Sequence, residues 1–181
     1  MSVFSSMRYC LGLPTDFSDL TLAMVLIPMG LFFDFMDGKV ARWRNRSSFL
    51  GQELDSLADL ISFGVAPAAC AFAIGFRTFA DTIVLSSFVL CGLSRLARFN
   101  VTVSSLPKDV SGKSKYFEGT PIPTTLGLVM TMAYWLKQNR VLDALPWGVK
   151  GSGMFEIHPI VCIFILHGSA MLSKTLRIPK L

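Results

Sequence analysis

Two aspartates three residues apart, Asp34 and Asp37, are followed at once by Gly38, Ala41 and Arg42; eight residues later come Gly51, Asp55 and Asp59. On a helix, residues three and four apart share a face, so Asp34, Asp37 and Ala41 line one face, and Asp55 and Asp59 line the face of another helix. Side by side, the two helices converge four carboxylates, whose mutual repulsion calls for neutralisation. Hard divalent cations with oxygen ligands, Mg²⁺ or Mn²⁺, suit that task. A pair of such ions about 3.5–4 Å apart is a standard clamp for a phosphoryl group. Gly38 and Ala41 clear side chains from the same region, letting a bulky ligand approach the backbone, and Arg42 offers a fork of donors to a phosphate. The competing reading pairs the carboxylates with Lys39, Arg42, Arg44 and Arg46 at a membrane surface; it accounts for any single aspartate but not for the whole spaced set.

The elements that must position these residues are apolar. The chain has 181 residues, 52% hydrophobic and 16% charged, with a mean hydropathy of +0.54. A soluble protein carries about 25% charged residues, so the composition indicates an integral membrane protein. Five apolar segments are expected at about 20–36, 54–76, 79–99, 121–136 and 158–172, all helical, since lipid satisfies no open sheet and the alternation of a barrel strand is absent. Residues 1–14 read as the tail of a further apolar segment, so the expected domain, 1–181, is a transmembrane bundle with about five complete helices and a first one cut short. Twelve of the seventeen basic residues fall on one side of this arrangement, among them Lys39, Arg42, Arg95, Arg98, Lys113 and Arg177. The positive-inside rule makes that side cytosolic, and the carboxylates lie on it. The sequons at Asn45 and Asn100 fall there too, so neither is expected to carry sugar. The start lacks the pattern of a signal peptide. The four cysteines are widely spaced and read as small apolar residues. Trp43, Trp135 and Trp147 fit interfacial belts.

The pattern D-x2-D-G-x2-A-R-x8-G-x3-D-x3-D, matched at every position from Asp34 to Asp59, resembles the signature of the CDP-alcohol phosphatidyltransferase family. The resemblance implies a bundle of six transmembrane helices, usually dimeric, that transfers a phosphatidyl group from a CDP-linked substrate to an alcohol and releases CMP. It implies that Asp34, Asp37, Asp55 and Asp59 hold two metal ions, Mg²⁺ or Mn²⁺, and that Asp59 is also the general base. Gly38, Ala41, Arg42 and Gly51 would form the CDP-lipid site. The runs from Gln52 to Pro67, Gly92 to Asn100 and Tyr116 to Pro123 are similar to the phosphatidylserine synthase branch of that family. Residues 108–115 and 173–180 look like its fungal-type members. Expected partners are then CDP-diacylglycerol, L-serine, the lipid bilayer and a second copy of the chain, with no nucleic acid, in the endoplasmic reticulum membrane with the site facing the cytosol.

Serine is a zwitterion and needs partners for both charges. Arg95 and Arg98, three apart at the end of the third segment, suit its carboxylate; Asn100 adds a donor or acceptor, and Glu118 is a candidate for the ammonium. Headgroup contact is the other reading of both arginines. His158 and His167 have no ligand partner nearby in sequence and are not expected to bind metal. Two rival functions remain at this point. One is the same fold acting on another alcohol, inositol or glycerol phosphate; the other is a cation transporter using the carboxylates as an ion path.

Overall fold

The structure, a computed structural model, describes residues 1–12, 17–43, 49–105, 116–151, 156–173 and 177–179. Within these stretches the side chains of Asp37, Gly38, Ala41, Arg42 and Glu118, among others, lie outside the described residues.

Length and hydropathy select the membrane-crossing helices. Helix α2, Ser18–Trp43, has 26 residues and runs on through Pro28. At 1.5 Å per residue it is about 39 Å long, more than the bilayer core of about 30 Å requires. Helix α3, Phe49–Leu60, continues through a π-helical turn at Ile61–Val65 into α4, Ala66–Ile74. The turn has a local cause. Pro67 has no N–H to donate four residues back, and the preceding Ala66 N–H reaches five residues back to the Ile61 carbonyl. Helix α5, Phe79–Ser105, has 27 residues. Three stretches, Ser18–Met36, Glu53–Ile74 and Phe79–Val101, are long and apolar enough to cross a membrane, and Pro159–Leu172 is a shorter apolar helix.

The remaining elements are shorter. Helix α1, Ser2–Leu11, buries Ser2, Ser5, Ser6 and Tyr9, one stripe at helical spacing. Small side chains let its backbone approach α2 and α4 closely: Ser2 Oγ donates to the Ala23 carbonyl at 2.8 Å, and Ser6 Oγ lies 3.4 Å from Cys70 Sγ. A 3₁₀ turn, Ile122–Thr125, leads into α6, Leu126–Lys137, and another, Pro159–Val161, leads into α7, Cys162–Leu172. Strands β1, Tyr116–Glu118, and β2, Arg177–Pro179, pair antiparallel with Phe117 opposite Ile178. The five apolar segments read from the sequence thus correspond to α2, α3–α4, α5, α6 and α7.

The core is built on Ile27, Phe63, Phe76, Phe88, Met132 and Phe164, with α3 joining it, among the described residues, only through the half-buried Leu60. Trp135 belongs to it rather than to an interfacial belt: it is 8% exposed and meets Phe76 edge-on, with ring centroids 6.4 Å apart. Phe32, Phe33, Leu57, Ile83, Leu90 and Leu166 remain outside it and exposed, as a surface bathed in lipid allows.

The ends of α5 and α7 are joined by polar contacts. Asp81, fully buried in the first turn of α5, accepts the His158 backbone N–H at 3.0 Å and lies 2.6 Å from His158 Nδ1. Asp81 and Thr78 also exchange backbone and side-chain hydrogen bonds at 3.4 and 3.2 Å, the reciprocal arrangement of a capping box. At the other end Arg98 donates to the Leu172 and Met171 carbonyls, 3.1 and 3.4 Å away, which the last turn of α7 leaves without helical partners.

Candidate active site

Helix α3 lies between α2 and α5, and two of its faces do different work. Asp55, Asp59 and Ser62 follow one another at helical spacing toward α2, where Gly30 and Asp34 share a face. Gly30 matters by its small size: a Cβ there would sit 3.7 Å from Ser62 Oγ. One turn further along, the carboxyls of Asp34 and Asp59 come within interaction range of each other, with Asp55 adding a second negative charge to the surroundings of Asp59. Carboxylates at such range need positive charge between or beside them, supplied by a proton or a cation. Arg95 of α5 provides part of it. It is buried, 8% exposed, within electrostatic range of Asp59, and its guanidinium lies 5.4 Å from the centre of the Phe99 ring.

The second face of α3 carries Glu53, Ser56 and Leu60, again at helical spacing, and meets α5. A Cβ on Gly92 would come within 3.6 Å of Leu60 Cδ1. Two turns along α5, Asn100 Nδ2 donates to Glu53 Oε2 at 3.2 Å, while its Oδ1 accepts from Ser56 Oγ, also at 3.2 Å. Glu53 and Ser56 were not among the residues singled out from the sequence. The signal that points to them is their register with Leu60, which puts them on a different face from the aspartates.

Of the expected residues, the fold brings together Asp34, Asp55, Asp59 and Arg95. Arg98 is turned to the end of α7, and Asn100 to the second face of α3. Gly51 is exposed in the first turn of α3. Asp37, Gly38, Ala41 and Arg42 lie on α2, with Asp37 in line with Asp34, and Glu118 lies on β1 opposite Arg177; the side chains of these five are outside the described residues. Among the described residues, which leave out the Asp37 carboxylate, no group of three or more His, Cys, Asp or Glu is arranged to hold a metal ion. The donors that are present are hard carboxylate oxygens, the chemistry that fits Mg²⁺ or Mn²⁺ rather than a thiophilic metal. Both histidines are engaged in the fold: His158 with Asp81, and His167 Nε2 with Thr124 Oγ1 at 3.0 Å. Cys70 is buried, whereas Cys162 is exposed and Cys10 and Cys91 are half-buried; all four are free.

Comparison with known proteins identifies the family. Residues 1–166 match the family model described as CDP-alcohol phosphatidyltransferase. The chain is 62% identical over 160 residues to the CDP-diacylglycerol–serine O-phosphatidyltransferase of Saccharomyces cerevisiae, covering 87% of this chain and 58% of that protein. It is 41% identical over 103 residues to the Bacillus subtilis protein of the same name, covering 56% of this chain and 54% of that one. It is 42% identical over 108 residues to an archaetidylserine synthase of Methanothermobacter thermautotrophicus, covering 58% and 42%. The chain therefore spans roughly half the length of these curated relatives.

Proposed function

The chain belongs to the CDP-alcohol phosphatidyltransferase family, and from that premise we propose that it transfers the phosphatidyl group of CDP-diacylglycerol to the hydroxyl of L-serine, giving phosphatidylserine and CMP. The observation that carries the reading is the joint across α2 and α3: the Asp34 and Asp59 carboxyls brought together, with Arg95 buried beside the pair. The relatives' names supply the substrates, and the joint supplies a place for the chemistry.

Asp34, Asp37, Asp55 and Asp59 would hold two divalent cations, which when bound offset charge on the diphosphate and on the departing CMP. Gly38, Ala41, Arg42 and Gly51 border the nucleotide. Asp59, on the face shared with Asp55 and in contact with Asp34, accepts the proton of the serine hydroxyl. The hydroxyl oxygen forms its bond to the lipid-side phosphorus, and the bond from that phosphorus to the CMP oxygen breaks, its electron pair leaving with CMP. Arg95 pairs the serine carboxylate, with Arg98 one turn away and still holding free N–H donors beyond its two bonds to α7. Glu118 is the candidate for the ammonium. The transfer is direct: the serine on this face, Ser62, lies against Gly30, a turn away from Asp34 and Asp59. The apolar spans support a membrane setting and the distribution of basic residues an orientation with the aspartates toward the cytosol; the endoplasmic reticulum and the homodimer are expectations from the family resemblance alone.

The test is CMP release from CDP-diacylglycerol by the purified chain with Mn²⁺, titrated with L-serine, inositol and glycerol phosphate in turn. Release driven by serine alone is the expected result. Release driven only by another alcohol would keep the family and overturn the acceptor.

A further inference from the structure

Asn100 links α5 to α3 through polar side chains, and both ends of its amide are used in the link. A carboxylate only accepts, so the amide nitrogen faces Glu53, and the oxygen is left to take the Ser56 hydroxyl proton. These are the 3.2 Å contacts described above. Toward Gly92 the seam is apolar. Gly92, Leu96 and Asn100 lie four apart along α5, and Leu60 packs opposite Gly92. A leucine against a glycine tolerates rotation of the helix; a donor and an acceptor aimed at two residues three apart do not.

We propose that Asn100 is a positioning residue: by holding Glu53 and Ser56 it fixes the rotation of α3 about its axis, and with it the aim of Asp55 and Asp59 at Asp34, rather than binding the acceptor alcohol itself. Ser56 immediately follows Asp55 and lies three residues before Asp59, so a rotation that moves one moves all. A carboxylate about 6 Å from the axis is carried about 1 Å by a rotation of about 10°. Misplacement by about 1 Å at a reacting centre costs about 10²-fold in rate. The inference rests on the proposed transfer at Asp59 and adds to it the device that holds the aspartates in register.

The experiment exchanges the polarity of the link. In Asn100→Asp, two carboxylates face each other, and kcat for serine-dependent CMP release is expected to fall about 10- to 100-fold, with the serine KM within about twofold of wild type. In the double variant Glu53→Gln, Asn100→Asp, the new amide donates to the new carboxylate, and Ser56 still has an acceptor. Recovery of kcat to within about threefold of wild type is expected. No recovery in the double variant, or an effect confined to serine KM, would overturn the proposal and make Asn100 an acceptor ligand. Melting midpoints of wild type, Glu53→Gln, Asn100→Asp and the double variant in detergent form a complete cycle without any substrate. Absence of CMP release by the wild type would refute the proposed function, whereas the midpoint of the double variant would still decide the link: recovery supports it, and further loss overturns it.

Discussion

At the residue scale, Asp59 and Arg95 carry most of what distinguishes this site from a charged membrane surface. Arg95 is the better placed of the two arginines, being buried beside Asp59, whereas Arg98 already serves two carbonyls of α7. A guanidinium offers a planar fork to a carboxylate, which an ammonium cannot reproduce. Arg95→Lys is therefore expected to raise the serine KM by about 10-fold while leaving that for CDP-diacylglycerol nearly unchanged. Initial rates at varied serine check this, and an unchanged serine KM would remove Arg95 from the acceptor pocket. The aspartates were legible in the sequence because their chemistry depends on spacing along each helix. Glu53 was not, because its part depends on which neighbour its face meets, and the bond from Asn100 spans 47 residues of chain.

At the scale of elements, the bundle is tied at both ends of α5. The Asp81–His158 contact joins α5 to the 3₁₀ turn before α7, about 28 Å along the helix from Asn100 at 1.5 Å per residue. Asp81→Asn weakens a buried, charge-assisted link and is expected to cost about 1.5–3 kcal/mol of stability. Activity per folded molecule should persist, because the aspartate joint lies near the other end. Thermal unfolding in detergent beside specific activity separates the two effects; loss of activity without loss of stability would contradict it. Gly119 is the second constraint. Its φ of +76° is in the left-handed region, and a Cβ there would come within 2.5 Å of the Met171 carbonyl oxygen. Gly119→Ala should cost about 1–3 kcal/mol, checked by the same unfolding measurement. Helix existence and order were legible in hydropathy, whereas the π turn before Pro67 and the burial of Trp135 were not. The first depends on which backbone donor a proline removes, the second on which helix packs across from α6.

At the scale of the whole molecule, the site is a product of antiparallel packing. Because α2 and α5 run opposite to α3, Asp34 and Arg95 both come level with Asp59, although 25 residues separate the first from it and 36 the second. The apolar exterior fixes this assembly in a bilayer, and the joint lies toward the ends of the helices where basic residues gather. An ion path would need carboxylates through the depth of the bundle; toward the opposite end, Asp81 is spent on His158 and Asp19 is paired with Arg8. The most direct measurement is serine-dependent CMP release by wild type and Asp59→Asn in the same lipid–detergent micelles with Mn²⁺, alongside binding of CDP-diacylglycerol to each. A positioned general base contributes about 10²–10⁴-fold, so the variant should lose at least about 10²-fold in turnover and retain binding. Turnover equal to wild type would contradict the assignment of Asp59, and with it the account of the α2–α3 joint as the reacting centre.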